Sequence, residues 1–273
     1  MLISLSRRRS PVQIRSGAPS EGRRASKVAA LYDIHGNLPA LRAVLEEVDR
    51  EDVDLIVVGG DVAAGPFPAE TLRLLGSLGD RACFVRGNAD RELVEAWDDH
   101  GGAPGEDLWA LRTSWAAERI DQAQRDMLDS YVPTVEVELE ALGVVLFCHG
   151  SPRRDDEIIT ALSPEDRLEP MLSAAPGVVV CGHTHVQFDR RVGERRVVNA
   201  GSVGLPYEGR PGAYWALLGP DVQLRRAPYD LESAAAEVRA SAFPDPEEYL
   251  TLLVSPPSRD EASGYFESRA QET

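Results

Sequence analysis

The chain has 273 residues, of which 43% are hydrophobic and 27% are charged. This balance supplies enough apolar mass for a large core and excludes a wholly disordered chain, and the absence of any apolar run near ~18 residues excludes a membrane-spanning protein. The net charge of −16 argues against a long nucleic acid as a partner. A small anionic substrate would need local positive charge, which metal ions can supply. Three cysteines are too few for a disulfide framework and indicate reduced thiols in the cytoplasm.

Residues 1–26 form a basic segment that differs in composition from the rest of the chain. They contain six Arg and one Glu, and Pro11 and Pro19 interrupt any amphipathic helix. They lack the apolar stretch of ~7–15 residues that a secretory signal requires. We therefore predict a disordered or untranslated tail, with a start site nearer Lys27. A basic arm that binds nucleic acid is the alternative.

The elements that follow alternate between strand and helix. An apolar run over 27–33 predicts a strand, and apolar residues near a period of 3.6 predict a helix that starts after Asn37. Further strands are predicted over 54–58 and 81–86, with a helix over 69–78 between them. This β-α-β-α-β order implies parallel strands with helices outside the sheet.

The second half of the chain mixes helices with shorter strands. Residues 91–130 have a helical pattern, broken by the Gly/Pro-rich stretch 101–106, and are predicted to be a helical insertion. The later patterns predict, in order, a hairpin over 134–140 and 144–147, a helix over 164–174, a strand over 177–181, short strands near 187–191, 195–198, 213–218 and 222–227, and a helix over 230–242. We assign 27–243 to one domain. The remainder, 244–273, contains four prolines and is predicted to be a C-terminal extension with a frayed end.

Polar side chains suited to metals follow five of the predicted strands. They are Asp33, His35, Asp61, Asn88, His149, His183 and His185. Because the carboxyl ends of parallel strands meet at one edge of a sheet, we expect these side chains in one crevice. Imidazole and carboxylate ligands without thiolate favour two ions of Mn, Fe, Zn, Ni or Co over a structural zinc site. Asp61 has two oxygens that could bridge the ions, and a hydroxide shared between them would be a nucleophile.

These residues lie in motifs that resemble the calcineurin-like metallophosphoesterase superfamily. The motifs are Asp33-x-His35, Gly60-Asp61 with Gly65-Pro66, Gly87-Asn88-Ala89-Asp90, His149-Gly150 and Gly182-His183-Thr184-His185. The later stretch Asn199-Ala200-Gly201-Ser202 is similar to the small bacterial and archaeal phosphodiesterase branch. The resemblance covers about residues 27–228. It implies an α/β fold in which two mixed β-sheets are flanked by helices, as a four-layer αββα sandwich.

The resemblance also implies a chemistry and a division of the ligands. One ion would be held by Asp33, His35, Asp61 and His185, and the other by Asp61, Asn88, His149 and His183. Mn²⁺ is the first candidate metal, with Fe, Zn, Ni and Co as alternatives. The implied reaction is hydrolysis of a small phosphodiester or nucleotide, by attack of a metal-bridging hydroxide on phosphorus. Catalytic roles then fall to Asp61, Asn88 and His149.

One position departs from the superfamily pattern. Ala89 stands where the superfamily usually has His, which acts as general acid or donates to the phosphoryl group. General acid catalysis contributes about 10²–10⁴-fold, so its loss handicaps poor leaving groups most and favours diesters or anhydrides. Asp90, Arg91 or a water are the candidate replacements. The alternative functions are a phosphomonoesterase, including a protein phosphatase, and a catalytically weak metal-bound binding module.

Four residues are predicted substrate contacts. Arg153 and Arg154 follow the His149 motif and could clamp a phosphate, although a solvated turn explains them equally well. Asn199 and Ser202, with the Gly201-Ser202 backbone, could donate hydrogen bonds to a phosphate, and the alternative is a tight turn beside the site. The sequence leaves both a monomer and a homo-oligomer open.

Overall fold

The structure is a computed structural model and describes residues 23–99 and 107–270. Its strands are β1 (Arg23–Ala25), β2 (Val28–Leu31), β3 (Leu55–Val58), β4 (Ala82–Phe84), β5 (Thr134–Leu139), β6 (Gly143–Cys148), β7 (Val178–Cys181), β8 (Phe188–Val192), β9 (Arg195–Asn199), β10 (Ala213–Leu218) and β11 (Val222–Ala227). Its helices are α1 (Leu38–Val48), α2 (Pro68–Gly76), α3 (Asn88–Asp98), α4 (Leu108–Ala117), α5 (Gln122–Asp129), α6 (Glu165–Leu172), α7 (Leu231–Ala240), α8 (Pro246–Val254) and α9 (Arg259–Ala270). A short 3₁₀ helix spans Gly79–Arg81.

Two mixed β-sheets pack face to face. One sheet has the order β1-β5-β6-β7-β9-β8 and the other has the order β11-β10-β2-β3-β4. The strands β2, β3 and β4 are parallel to one another, as are β6, β7 and β9, and antiparallel neighbours complete each sheet. Side chains of both sheets share one buried apolar cluster, which includes Val57, Phe147 and Val180. The expectation of two mixed sheets flanked by helices is therefore confirmed.

The central strands are buried on both faces because each face meets a different layer. Ala29 of β2 and Ile56 of β3 belong to the apolar cluster beneath α1, α2 and α3. The next residues, Ala30 and Val57, point the opposite way and belong to the cluster between the sheets. Such strands carry near-continuous apolar runs, which end abruptly where the polar residues of the loops begin.

The helical insertion is present, and it starts earlier than the sequence predicts. α3 begins at Asn88 rather than near residue 91, so the predicted ligand Asn88 is in its first turn. α3 packs against both α4 and α5. The Gly/Pro-rich stretch 101–106 lies outside the described residues, as does His100.

The structure describes part of each predicted terminal segment. Within the predicted tail, residues 1–22 lie outside the described part, but Arg23–Ala25 pair in parallel with β5 as an edge strand. The backbone N–H groups of Ser26 and Lys27 both donate to Asp54 Oδ2, which fixes the entry into β2. The predicted C-terminal extension contains the helices α8 and α9 and is helical through Ala270, and the end that is predicted to fray, residues 271–273, lies outside the described residues. Across the part of the chain that the structure describes, we find no helix with the length and apolarity needed to cross a bilayer.

Candidate metal centre

The loops that carry the predicted ligands have an unusual backbone. Asp33, His35, Asp61, His183 and His185 have φ angles of 51°, 45°, 55°, 65° and 57°. The left-handed region costs a non-glycine residue about 1–3 kcal/mol, and such strain is concentrated at functional sites. Five of the seven predicted ligands thus adopt strained loop conformations at the ends of β2, β3 and β7.

Two glycines allow the loop after β2 to lie this close to its neighbours. A Cβ on Gly65 would be 1.8 Å from the carbonyl oxygen of His35, and a Cβ on Gly204 would be 1.8 Å from that of Ile34. The loop is therefore held between two backbone segments that tolerate no side chain at these points. Asn37 adds a polar tie, since its side chain caps α1 at the Ala40 N–H and donates to the Gly204 carbonyl oxygen.

Asp33, His35 and His185 form one group of converging donor atoms. The Nε2 atoms of His35 and His185 are 3.2 Å apart. Asp33 Oδ1 is 3.3 Å from His185 Nε2 and 4.0 Å from His35 Nε2. All three residues are buried. Donor atoms at these separations can hold a metal ion.

Asp61, His149 and His183 form a second such group. Asp61 Oδ2 is 3.2 Å from His149 Nε2 and 3.8 Å from His35 Nε2, so one oxygen atom lies beside both groups. The other oxygen, Oδ1, accepts a 2.8 Å hydrogen bond from the Ala89 N–H. The two groups therefore adjoin at Asp61.

Buried polar atoms without partners mark the same region. Three of the buried polar atoms without a hydrogen-bond partner in the described residues belong to predicted ligands and lie here: Asp33 Oδ1, Asn88 Oδ1 and His149 Nε2. Buried polar groups are normally satisfied, so orphaned acceptors that converge here fit a bound cation. The Asn88 amide nitrogen donates to Glu92 Oε1 at 3.2 Å, which leaves the amide oxygen for the cluster.

Backbone carbonyls fix the orientation of two of the imidazoles. His149 Nδ1 lies 2.9 Å from the Gly59 carbonyl oxygen, and His185 Nδ1 lies 2.7 Å from that of Leu205. A protonated Nδ1 donating to a carbonyl leaves Nε2 as the lone-pair donor, which is the usual arrangement around a metal-binding histidine.

Without a cation, the electrostatics put His35, His183 and both carboxylates in the forms that bind metals, whereas His149 carries a proton that a bound cation would displace. Burial lowers the pKa of His35 and of His183 to about 4, so both imidazoles are neutral at physiological pH. Burial also opposes a charge on His149, but the carboxylates of Asp61 and Asp33 outweigh it and raise the pKa of His149 to about 10. Burial acts against ionisation of Asp33 and Asp61, yet the adjacent histidines keep the pKa of both carboxyls low.

Asp90 ties together the loops that carry Asp61 and Asn88. Its carboxylate accepts hydrogen bonds of 2.9 Å from the N–H groups of Gly87, Asp61 and Val62. The preceding residue, Ala89, is fully buried within the apolar cluster beneath α3. Residue 89, which is usually His in the superfamily that the motifs resemble, therefore offers Asp61 a backbone N–H and has no titratable side chain.

The four predicted substrate contacts lie in two different settings. Arg153 and Arg154 are exposed and form ion pairs with Glu157 and Asp156. Asn199 and Ser202 are buried beside the ligand loops. The Asn199 amide nitrogen donates to the Gly182 carbonyl oxygen, and the Ser202 hydroxyl donates to that of Asp33. Their roles toward a substrate stay predictions.

Several residues around the centre were not singled out as site residues from the sequence. Trp109, Tyr207 and Phe266 each place a ring against a predicted ligand histidine. Glu92 accepts hydrogen bonds from Asn88 and, at 2.8 Å, from the Trp109 indole nitrogen. For Glu92 the sequence does contain a signal, because Glu92 lies four residues after Asn88. Side chains at this spacing meet when they belong to one helix, but the sequence did not show that a helix begins at Asn88.

Comparison with known proteins gives a consistent picture. Phosphodiesterase YfcE from Escherichia coli K12 is 28% identical over 200 residues, which cover 70% of this chain and 86% of the relative. A symmetrical bis(5'-nucleosyl)-tetraphosphatase from a Shewanella species is 32% identical over 150 residues, covering 52% of this chain and 54% of the relative. The crystal structure of a metallophosphoesterase from Sphaerobacter thermophilus superposes with a TM-score of 0.66 at 26% identity, covering 84% of this chain and 98% of that one.

The family model for the calcineurin-like phosphoesterase superfamily domain matches residues 27–219, which include all seven predicted ligands. The two groups of candidate metal-binding side chains fall at the strand ends where this family's metal-dependent chemistry is expected. The chain therefore belongs to the calcineurin-like phosphoesterase superfamily, as a metal-dependent phosphoester hydrolase.

Proposed function

We propose that the protein is a phosphodiesterase that hydrolyses a small phosphodiester or nucleotide at a dinuclear centre. The observation that carries this proposal is the position of Asp61 Oδ2, which lies within 3.8 Å of a histidine nitrogen in each of the two ligand groups. Mn²⁺ is the first candidate metal, because the donors are imidazole, carboxylate and amide oxygen without thiolate. The three cysteines are free thiols, in keeping with the cytoplasm that we propose as its location.

The chain's own residues would bind and orient the cations. Asp33, His35 and His185 would hold one ion, and Asn88, His149 and His183 the other, with Asp61 between them. When bound, a pair of divalent cations activates water as a nucleophile and stabilises negative charge on phosphoryl oxygens. The Ala89 N–H keeps Asp61 Oδ1 occupied at 2.8 Å, so that Oδ2 is directed to both groups.

The surroundings of Ala89 support a diester over a monoester. Of the replacements considered for the missing imidazole, Asp90 has both carboxylate oxygens engaged by backbone N–H groups. Arg91 donates to both oxygens of Asp155, at 3.1 and 3.3 Å. Neither side chain is placed to protonate a leaving group, so water would do so. Substrates whose leaving groups depart readily as anions are then favoured.

The test compares an aryl phosphodiester with the matching aryl monoester on Mn²⁺-loaded protein. We expect metal-dependent cleavage of the diester well above that of the monoester. Asp61→Asn should abolish turnover and metal binding, whereas Asp156→Asn, which alters an exposed ion pair, should leave both unchanged. Near-normal turnover by Asp61→Asn would refute the assignment.

The same comparison separates the alternatives. Faster cleavage of the monoester would favour a phosphomonoesterase. Cleavage of neither ester, with two ions verified as bound, would favour the metal-bound binding module.

A further inference from the structure

Aromatic rings flank both groups of predicted ligands. Trp109 of α4 meets the His35 ring edge-on, with centroids 5.7 Å apart. On the other group, Phe266 of α9 lies 6.2 Å from the His183 ring. Tyr207 stacks on His185 at 4.8 Å and lies 6.4 Å from Phe266. The polar centre is thus bordered by apolar ring surfaces from two separate helices.

Trp109 is accessible, and its orientation is fixed. The residue is 38% exposed, whereas Trp215 is fully buried. The indole N–H donates to Glu92 Oε2 at 2.8 Å, which holds the ring in place. A large aromatic side chain that is left partly in solvent beside a polar centre is a common feature of ligand-binding surfaces.

The position of Phe266 is fixed by contacts that its neighbours on α9 make with other segments. Glu267 accepts hydrogen bonds from Thr160, Ser163 and Arg167, at 2.6, 2.6 and 2.7 Å. At the start of α9, Arg259 forms an ion pair with Glu208. Both ends of α9 are therefore bonded to other segments of the protein, and these contacts hold the Phe266 ring beside His183.

We propose that Trp109 and Phe266 are the walls of a subsite for a planar aromatic group, of the nucleobase kind, esterified to the phosphate. This inference rests on the proposed phosphodiesterase function and names its substrate class. The metal groups would bind the phosphate, and a flat ring would stack on the aromatic surfaces next to it. Stacking of a base on an aromatic side chain is worth about tenfold or more in affinity. A short aliphatic ester has no ring to stack.

The test uses two chromogenic diesters that share one leaving group. They are the p-nitrophenyl ester of thymidine 5'-monophosphate and methyl p-nitrophenyl phosphate, assayed with Mn²⁺-loaded protein. We expect the wild-type enzyme to prefer the nucleoside ester through KM. Trp109→Leu and Phe266→Leu should each reduce the preference in kcat/KM about tenfold, through KM more than kcat. Trp109→Phe, which retains a ring, should keep most of it.

The control is Leu111→Ala, because Leu111 is an exposed apolar residue on the same helix. It should keep the wild-type preference. An equal loss of both esters in Trp109→Leu would show that Trp109 acts through His35, and would overturn the subsite. An unchanged preference in both leucine variants would overturn it as well.

A binding measurement separates this inference from the proposed function. Calorimetric titration of Mn²⁺-loaded protein with thymidine 5'-monophosphate and with methyl phosphate needs no turnover. Tighter binding of the nucleotide, lost in Trp109→Leu, would support the subsite even if neither diester were hydrolysed. Equal affinities would refute the subsite and leave a demonstrated phosphodiesterase activity untouched.

Discussion

Glu92 offers a sharp test of how the centre is held, since it touches a predicted ligand and is not one itself. Its Oε1 accepts from the Asn88 amide at 3.2 Å, and its Oε2 accepts from the Trp109 indole at 2.8 Å. In Glu92→Ala the Asn88 amide is free to rotate, and its buried oxygen is no longer directed to the cluster. We expect a weaker hold on the ion assigned to Asn88, His149 and His183, and little change at the other ion.

The size of the effect follows from two independent estimates. A hydrogen bond to a charged acceptor is worth about 1.5–3 kcal/mol, which corresponds to roughly 10–150-fold in a dissociation constant. Removal of an outer partner of a metal ligand typically costs about 10–100-fold in metal affinity. We therefore expect the Kd of one Mn²⁺ site to rise about 10–100-fold.

The assay is calorimetric titration of metal-free protein with Mn²⁺, fitted with two sites. Glu95→Ala is the matched control, because Glu95 lies on the same helix and only approaches Arg91 at 3.7 Å with 64% of its side chain exposed. Glu92→Gln retains an acceptor for the Asn88 amide and should lose less affinity than Glu92→Ala. If Glu92→Ala binds both ions within about twofold of the wild type, the argument that Glu92 orients Asn88 is wrong.

Three other predictions concern stability and metal loading. Asn37→Ala removes a helix cap and two further hydrogen bonds, and it should lower the free energy of unfolding in urea by about 3 kcal/mol. The control Asp230→Ala removes only an exposed helix cap and should lower it by about 1 kcal/mol. Equal losses would contradict the role of Asn37 in joining α1 to the Gly204 backbone. Gly65→Ala should abolish Mn²⁺ binding because its Cβ would lie 1.8 Å from the carbonyl oxygen of His35. The control Gly264→Ala has open space in a helix and should raise the free energy of unfolding by up to about 1 kcal/mol. Normal Mn²⁺ binding by Gly65→Ala would refute the close contact between Gly65 and His35. Mn²⁺ at a hundred times the Kd of each proposed site should stabilise metal-free protein by about 2.7 kcal/mol per site in thermal unfolding and should not stabilise Asp61→Asn. An equal gain in both proteins would place the ions elsewhere.

The convergence of the candidate ligands could be predicted from the sequence because the signal for each is local. An apolar run ends, a polar residue follows, and parallel strands bring those ends to one edge. Asp33, Asp61 and His149 each follow such a run, and the structure places all three in the two candidate ligand groups. The left-handed backbone at Asp33 and Asp61 was not predictable, because it depends on how closely neighbouring loops pack.

The helices of the C-terminal extension and the aromatic walls were not predicted, for a different reason. The four prolines after residue 243 give no helical pattern, but Pro246 occupies the first turn of α8, where a missing N–H costs nothing. Pro256 and Pro257 lie in the connection between α8 and α9. The contact of Phe266 with His183 joins residues far apart in sequence, and no local pattern encodes it.

The anchoring of α9 has a practical consequence for handling the protein. The family match ends at residue 219, so one wall of the cleft comes from chain beyond the domain that carries every predicted ligand. Phe266 lies four residues before Ala270, the last residue of α9. A histidine tag fused directly after α9 would begin about one helical turn from Phe266, and it would compete both for the cations and for the space of the substrate. Enzyme for kinetic work should therefore carry its tag at the other end, and C-terminal fusions offer a simple way to occlude the site on purpose.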